Sequence, residues 1–241
     1  MQIFAKTDKG KVRSINQDAF YINTLSDGAA LAIVCDGMGG ASAGDIASKT
    51  AVEIMSQYIL NSYNPSLTSD DIIRLVDNAI TSANLEVYTL SQKDEQLRGM
   101  GTTVVVAVVK ETQAVICNIG DSRAYLINDG LVQITRDHSV VQSLVEIGKL
   151  SPEEARVHPE KNVITRALGV EENVFSDSYC IDICENDKLL LCTDGLSNYA
   201  EPDSILRIVN DNAFDKITDL LVEKANLGGG SDNITVAIIS H

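Results

Sequence analysis

The sequence predicts an α+β fold, a layered sandwich of sheet and helices, rather than a parallel βαβ sheet. Strand-like runs of β-branched residues come in pairs separated by short turns, which is typical of antiparallel hairpins. The helical patterns also come in pairs, between groups of strands instead of after each strand. With 241 residues, no repeats and no interdomain linker, the chain is expected to form one domain over residues 1–241.

The first half of the chain predicts two strands and then two helices. Apolar residues recur at helical spacing between Asp36 and Gly101. Thr68 and Asp71 form a capping-box pattern at the start of the second helix. The predicted elements are the strands Ala19–Ile22 and Ala29–Cys35 and the helices Ile46–Ile54 and Ile72–Val87.

The middle of the chain predicts two successive hairpins. Lys110–Gln113 would turn the first, and Asn128-Asp129-Gly130 is a strong short-loop signal because Asn, Asp and Gly tolerate positive φ. Adjacent hairpins predict an antiparallel sheet. The expected strands are Thr103–Val109, Ala114–Ile119, Arg123–Ile127 and Leu131–Ile134.

The last part of the chain begins with an irregular stretch at residues 139–168, which we expect to be a mobile insertion between strands. Within it, Ser151, Pro152 and Glu154 supply an N-cap, a first-turn proline and a capping glutamate in order. The other predicted elements are the helices Ser139–Ile147, Pro202–Val209 and Asp215–Leu227 and the strands Tyr179–Cys184, Leu189–Cys192 and Ile234–Ile239.

The charge balance excludes some classes of partner. The chain carries 34 acidic and 19 basic residues, a formal net charge of −15. Nucleic-acid-binding proteins usually have a basic face, and anionic membrane surfaces repel an acidic protein. We therefore expect no nucleic-acid partner and no membrane insertion.

The cysteines and apolar runs favour a soluble protein of the reducing cytoplasm. The five cysteines are odd in number, show no CxxC spacing, and include three inside apolar runs, where they would act as small buried hydrophobes. Residues 1–13 contain no signal-peptide core. The longest apolar run, Ala29–Cys35, is far shorter than the ~20 residues that span a bilayer.

Several apolar runs deliver an aspartate beside a glycine. Asp36-Gly37, Gly120-Asp121 and Asp194-Gly195 follow such runs, and Asp232 stands just before another. Each pair alone is most often a turn. If these runs are neighbouring strands, however, their ends gather carboxylates into a small volume, where repulsion raises pKa values or requires a cation. All-oxygen ligation suits Mg²⁺ or Mn²⁺ rather than zinc.

Six motifs in this order distinguish the chain further. They are Arg13-Ser14-Ile15-Asn16-Gln17-Asp18, Asp36-Gly37-Met38-Gly39-Gly40, Gly101-Thr102-Thr103, Gly120-Asp121-Ser122-Arg123, Asp194-Gly195-Leu196 and Ser231-Asp232-Asn233. The ordered set resembles the metal-dependent serine/threonine protein phosphatases of type 2C, specifically a bacterial, catalytic-domain-only member. Because the motifs run from Arg13 to Asn233, the resemblance covers nearly the whole chain.

The resemblance implies a four-layer α/β/β/α sandwich of two antiparallel sheets flanked by helices, with a two-metal centre at one edge of the sheets. It implies that Asp36 bridges both metals, that the Gly37 carbonyl ligates one of them, and that Asp194 and Asp232 complete the other site. The segment at about 139–168 would be a small flap beside the centre.

Further roles follow from the same resemblance. Asp18 would orient metal-bound water, Arg13 would hold the substrate phosphate, and Asp121 with Asp194 matches the position of a third, weaker metal. Many eukaryotic members carry a histidine proposed as general acid where this chain has Met38, so the leaving-group proton must come from elsewhere. Supporting structural roles are expected for Thr102, Thr103, Ser122, Arg123 and Asn233, and no catalytic role for His138, His158 or His241.

The predicted activity is hydrolysis of phosphoserine and phosphothreonine in proteins, by direct attack of a hydroxide that bridges two Mg²⁺ or Mn²⁺ ions. Arginine suits the phosphate because a planar guanidinium donates two parallel hydrogen bonds. A serine/threonine kinase is the implied counterpart, and a monomer is expected. Two alternatives stay open, a small-molecule phosphomonoesterase and a catalytically silent phosphoprotein-binding module.

Overall fold

The computed structural model describes residues 1–39 and 43–240, so Gly40 of the glycine-rich motif and His241 lie outside the described residues. The strands are β1 (Gln2–Asp8), β2 (Asp18–Thr24), β3 (Ala30–Met38), β4 (Gly101–Thr102), β5 (Val104–Lys110), β6 (Gln113–Ile119), β7 (Arg123–Ile127), β8 (Leu131–Gln133), β9 (Asp177–Asp182), β10 (Lys188–Cys192) and β11 (Ile234–Ser240). The helices are α1 (Ala43–Ser62), α2 (Ser69–Lys93), α3 (Val140–Glu146), α4 (Pro152–Val157), α5 (Asp194–Ser197), α6 (Pro202–Asp211) and α7 (Ile217–Leu227).

The strands form two antiparallel sheets. A five-stranded sheet has the order β1-β11-β10-β7-β8, and a six-stranded sheet has the order β2-β3-β5-β6-β9, with the short β4 also pairing with β3. The last strand, β11, lies between β1 and β10.

Side-chain alternation along the strands builds the layers. In β3, Leu31 and Ile33 pack with the apolar faces of α1 and α2, whereas Ala32 and Val34 belong to the core between the two sheets. On the other side, α6 and α7 pack on the outer face of the five-stranded sheet. The predicted α/β/β/α sandwich is confirmed.

The two predicted hairpins exist but belong to different sheets. β5 and β6 lie in the six-stranded sheet, and β7 and β8 lie in the five-stranded sheet. The chain crosses at Gly120, whose φ of +97° suits glycine. A Cβ there would lie only 2.6 Å from Cγ2 of Thr103. This crossing puts Asp121 at the junction of the sheets.

Some boundaries differ from those predicted. In the first hairpin, β5 ends at Lys110 and β6 begins at Gln113, so the turn is shorter than predicted. β9 ends at Asp182, before Cys184. β1 is an additional strand that the sequence pattern did not reveal, since it is an edge strand with an exposed Phe4 and a charged Lys6.

The segment at residues 139–168 contains α3 and α4 and otherwise irregular chain. Ser151 and Glu154 form the predicted capping box of α4. Two isolated bridges, Ser139 with Ile164 and Thr102 with Leu168, join the base of the segment to itself and to β4.

The cysteines are all free, and Cys35, Cys117 and Cys192 are buried as predicted. Among the helices that the structure describes, none is long and apolar enough to cross a membrane.

We expect Thr68→Ala to lower the free energy of unfolding by about 1 kcal/mol, because Thr68 and Asp71 form the predicted capping box of α2. Urea unfolding measures the change. Thr81→Ala is the matched control, because the Thr81 hydroxyl bonds to the Asp77 carbonyl inside the same helix and alanine has the better helix propensity. Equal losses in both variants would contradict a specific cap.

Candidate metal centre

Asp36 lies near the end of β3, directly opposite Asp18 on β2. Both the N–H and the carbonyl of Asp36 are hydrogen-bonded to residues of the Gly101-Thr102-Thr103 motif. The Asp36 N–H donates to Oγ1 of Thr103 at 3.0 Å, and the Asp36 carbonyl accepts from Oγ1 of Thr102 at 2.9 Å and from the Thr103 N–H at 2.8 Å. The carboxylate therefore projects from a rigid backbone.

The five-stranded sheet supplies Asp194 and Asp232. Asp194 is the first residue of α5 and is separated from the end of β10 by Thr193 alone, and Asp232 precedes the adjacent strand β11. The two elements pack closely at Gly195, where a Cβ would lie 1.8 Å from the Asn233 carbonyl oxygen. Only glycine allows this approach.

Asn233 fastens the segment that carries Arg13. Its Oδ1 accepts from the Gln17 N–H at 2.8 Å, and its Nδ2 donates to the carbonyls of Lys9 and Ile15 at 2.9 and 3.0 Å. The structure thus gives Asn233 the supporting role expected of it.

Gly37 lies against the start of α1. Its N–H donates to the Gln17 carbonyl at 3.1 Å, and a Cβ on Gly37 would lie 2.0 Å from the Gly44 carbonyl oxygen. The backbone of Gly37, which carries the carbonyl predicted as a ligand, is therefore packed tightly between Gln17 and Gly44.

Arg13 reaches the same edge of the sandwich. Its Nη2 donates to Oδ2 of Asp232 at 2.8 Å, and about half of the Arg13 side chain is exposed. Only one of its amino groups bonds to Asp232. The remaining N–H groups of the fork are available to an anion.

Burial and mutual repulsion raise the pKa values of Asp36 and Asp18. Burial raises the pKa of Asp36 well above its usual range, and the negative charges of Asp18 and Asp194 raise it further. Burial also raises the pKa of Asp18 to about 7, against the opposing effect of hydrogen bonds from Thr235 and Thr193. Removing charge repulsion, by a proton or by a cation, would stabilise this arrangement.

Asp121 lies at the crossing between the sheets, beside Asp194. Burial, and next the charge of Asp194, raise the pKa of Asp121 to about 8. The neighbouring Gly120 N–H donates to Nδ1 of His138 at 3.0 Å, and Arg123 forms a bidentate ion pair with Asp137. Both contacts fix the loop that carries Asp121.

A cavity of about 790 Å³ opens beside Asp121 and Asp194. The segment at 139–168 forms one wall, and α5 and α6 form another. Arg156 of the segment pairs with Glu201 at 3.1 Å across it. The cavity is large enough to admit more than a phosphate group.

The aspartates do not close around a cation as they stand. Within residues 1–39 and 43–240, no group of three or more His, Cys, Asp or Glu side chains could hold a metal ion. Their chemistry nevertheless fits a hard cation, because the site offers only carboxylate and carbonyl oxygens. Among the described residues, Oδ1 of Asp18 and Oδ1 of Asp194 are buried without a hydrogen-bond partner. A cation would satisfy such orphaned acceptors.

Two histidines, His138 and His158, lie in structural positions, and His241 is outside the described residues. His138 is buried, and its pKa is lowered by burial. Since its Nδ1 accepts from Gly120, its Nε2 carries the proton and donates to Oδ2 of Asp177 at 3.2 Å. Nδ1 of His158 accepts from the Glu160 N–H.

Sequence reasoning missed three polar neighbours of the centre. Nδ2 of Asn198 donates to Oδ2 of Asp194 at 2.9 Å, and the hydroxyls of Thr193 and Thr235 donate to Asp18. The spacing of Asn198 four residues after Asp194, within one helical turn, was a usable signal. Thr235 gave no comparable local signal.

Comparison with known proteins gives one consistent family. Residues 9–227 match the family model described as protein phosphatase 2C. The serine/threonine phosphatase Stp of Listeria innocua is 40% identical over 240 residues, covering 98% of this chain and 94% of that protein. Protein phosphatase PhpP of Streptococcus pneumoniae is 38% identical over 244 residues, covering 100% of this chain and 97% of that protein.

Solved structures match equally well. The serine/threonine phosphatase Stp1 of Staphylococcus aureus superposes with a TM-score of 0.94 at 35% identity, covering 100% of this chain and 94% of that one. The catalytic domain of the serine/threonine protein phosphatase PstP, in complex with two manganese ions, superposes with a TM-score of 0.86 at 31% identity, covering 98% of this chain and 96% of that one.

The metal-free protein should lose stability as the pH rises from about 5 to about 8. The folded-state pKa values of Asp194, about 6, and Asp121, about 8, both lie above the usual value of aspartate, and burial is the main cause. Their favourable contribution is therefore complete below that usual value and is lost as the pH passes the folded pKa values. Unfolding in the presence of a chelator, measured across this range, tests the trend.

In the Asp194→Asn variant, the free energy of unfolding should fall less steeply over the same pH range, since one titrating carboxylate is gone. Asp219→Asn is the control, because Asp219 is exposed and its hydrogen bond to Lys6 lowers its pKa. If the free energy of unfolding of Asp194→Asn fell as steeply as that of the wild type, Asp194 would not have the raised pKa that its burial and the charge of Asp232 imply.

Proposed function

Because the chain belongs to the protein phosphatase 2C family, we propose that it hydrolyses phosphoserine and phosphothreonine in proteins with the help of Mg²⁺ or Mn²⁺. The observation that carries this proposal is the convergence of Asp36 with Asp194 and Asp232 from two separate sheets, next to Arg13. A carboxylate cluster beside a partly exposed arginine can hold cations and an anionic substrate together.

We propose two ions at the core of the site. Asp36 would bridge them, the Gly37 carbonyl would ligate one, and Asp194 and Asp232 would ligate the other. Asp121, together with Asp194, would form a third and weaker site. When bound, a pair of divalent cations would acidify a water molecule and neutralise part of the charge on the phosphate.

Arg13 would bind the phosphate oxygens. Its bond to Asp232 holds the guanidinium beside the carboxylates, and the other N–H groups of the fork can donate to two oxygens at once. This contact would fix the orientation of the phosphorus for in-line attack.

Asp18 would orient the attacking water through its unpaired Oδ1. The residue after Gly37 is Met38, which has no proton to give, so protonation of the leaving serine or threonine oxygen would fall to water. None of the three histidines is assigned this step.

We propose that residues 1–241 form one catalytic domain in which residues 139–168 are the flap. In support, this segment walls the cavity beside Asp121 and is joined to itself at its base by the Ser139–Ile164 bridge. A protein substrate would contact the flap, whereas a small ester would reach only the centre.

The proposal extends to the setting of the enzyme. Phosphorylated proteins are the substrates, a serine/threonine kinase is the counterpart, and the protein acts as a monomer in the cytoplasm. The free cysteines support a reducing compartment.

Phosphate release from phosphoserine and phosphothreonine peptides should require Mn²⁺ or Mg²⁺, stop with a chelator and resume when either ion is restored; zinc should be a poor substitute.

Asp36→Asn and Asp232→Asn should each lower kcat by about a hundredfold or more, because each loses a charged ligand while keeping its shape. The Asp219→Asn control should remain active. Wild-type rates in the Asp36 and Asp232 variants would refute the metal centre, and activity on small phosphate esters alone would favour a small-molecule phosphatase.

Arg13→Ala should lower kcat/KM for phosphopeptides by about tenfold or more, through the lost charge-assisted hydrogen bonds. Arg13→Lys should recover only part, since lysine keeps the charge but not the planar fork. Arg207→Ala is the control, because that guanidinium bonds only to a backbone carbonyl of its own helix, α6, among the contacts described. Unchanged kcat/KM in Arg13→Ala would remove this residue from the phosphate site.

A further inference from the structure

Hydroxyl groups on β11 and just after β10, in the five-stranded sheet and at its edge, reach across to Asp18 on the six-stranded sheet. Oγ1 of Thr235 lies 2.6 Å from Oδ2 of Asp18, and Oγ1 of Thr193 lies 3.0 Å from the same oxygen. Behind Thr235, Oγ1 of Thr7 lies 2.7 Å from Oγ1 of Thr235. Thr7 and Thr235 are direct partners in the β1–β11 register, so their side chains meet on one face of the sheet.

The donor and the acceptor of each hydrogen bond in this network follow from its neighbours. The Asn16 amide is fixed because its Oδ1 accepts from the Asp18 N–H at 3.2 Å, so its Nδ2 is the group that donates to Oγ1 of Thr7 at 2.8 Å. Thr235 has one hydroxyl hydrogen, and it goes to the carboxylate. Thr7 therefore donates to Thr235, and the hydrogen-bond network runs from Asn16 through Thr7 and Thr235 to Asp18.

The two hydroxyl donors act on one oxygen of Asp18 only. Oδ2 accepts from both threonines, while Oδ1 is buried and has no hydrogen-bond partner among the described residues. Two directed bonds on one oxygen fix the rotation of the carboxylate. They leave Oδ1 as the oxygen free for the centre, where Asp18 lies opposite Asp36.

We propose that Thr235, backed by Thr7 and assisted by Thr193, is a positioning residue of the reaction: it holds Asp18 so that Oδ1 faces the cations and their water. This inference deepens the proposed function and rests on it. Thr193 is itself anchored, because its Oγ1 accepts from the Thr235 N–H at 3.0 Å. The positioning element therefore spans both sheets at the edge that carries the carboxylates.

Thr235→Val tests the proposal most directly, since valine keeps the shape and removes the hydroxyl. Mn²⁺ binding to the purified protein, measured by calorimetry without substrate, should weaken about tenfold. The value of kcat on a phosphopeptide should fall about tenfold, while KM stays within about twofold, because Arg13 rather than Asp18 binds the phosphate.

Thr235→Ser should restore both Mn²⁺ affinity and kcat to within about threefold of the wild type, because serine returns the donor. Thr7→Val should have a smaller effect than Thr235→Val, since the bond from Thr235 to Asp18 survives. Thr218→Val is the matched control. Thr218 is a buried threonine of α7, a helix that packs against β11, and it takes no part in the hydrogen bonds that lead to Asp18. It should leave both quantities unchanged.

Wild-type Mn²⁺ affinity and kcat in Thr235→Val would overturn the proposal. So would equal losses in Thr235→Ser and Thr235→Val, or in Thr218→Val, since these would indicate a general effect on the fold. If Thr235→Val does not fold, Thr193→Val carries the same test, because it removes the second donor to Oδ2.

The calorimetric measurement separates this inference from the proposed function. A wild-type protein that binds Mn²⁺ but hydrolyses neither phosphopeptides nor small esters would refute the function. In that case, unequal Mn²⁺ affinities of Thr235→Val and Thr235→Ser would still support the positioning role, and equal affinities would still refute it.

Discussion

Repulsion between carboxylates at the edge shared by the two sheets is the constraint on which the rest of the site depends. Asp18 and Asp36 come from one sheet, Asp194 and Asp232 from the other, and each lies in the field of like charges. Such a group can persist only if the backbone beneath it cannot relax. The hydrogen bonds around it are therefore directed at the backbone as much as at the carboxylates.

Close backbone packing supplies that rigidity. Glycines at 37 and 195 let neighbouring segments approach to distances that a Cβ would forbid. Thr102 and Thr103 hold the backbone of Asp36, and Asn233 fastens three loop backbone groups at once. The motif residues that are not carboxylates thus act mainly by fixing the chain, and the acidic side chains are left free to bind a ligand.

Local patterns in the sequence predicted most elements, because strand alternation and capping boxes are written in neighbouring residues. The capping box of Thr68 is an example. The placement of the two hairpins in different sheets was not predictable, since it depends on the crossing at Gly120 and on which distant strand each edge meets. The role of Thr235 was not predictable for the same reason, because it depends on a hydrogen bond to Asp18, which is 217 residues away in the chain. Four of the aspartates, at positions 36, 121, 194 and 232, were found because each stands beside one end of an apolar run, whereas Asp18 was found through its motif.

The pairing of β1 with β11 has a consequence for biosynthesis. Thr7 and Thr235 are separated by 228 positions, so the five-stranded sheet cannot close until β11 has been synthesised and has left the ribosome. Until β11 inserts, β1 has no partner strand and β10 pairs only with β7, and unpaired strand edges readily join other chains. The carboxylate edge is complete only after this insertion, because Asp232 is separated from the start of β11 by Asn233 alone and reaches the other aspartates only when that strand is in place.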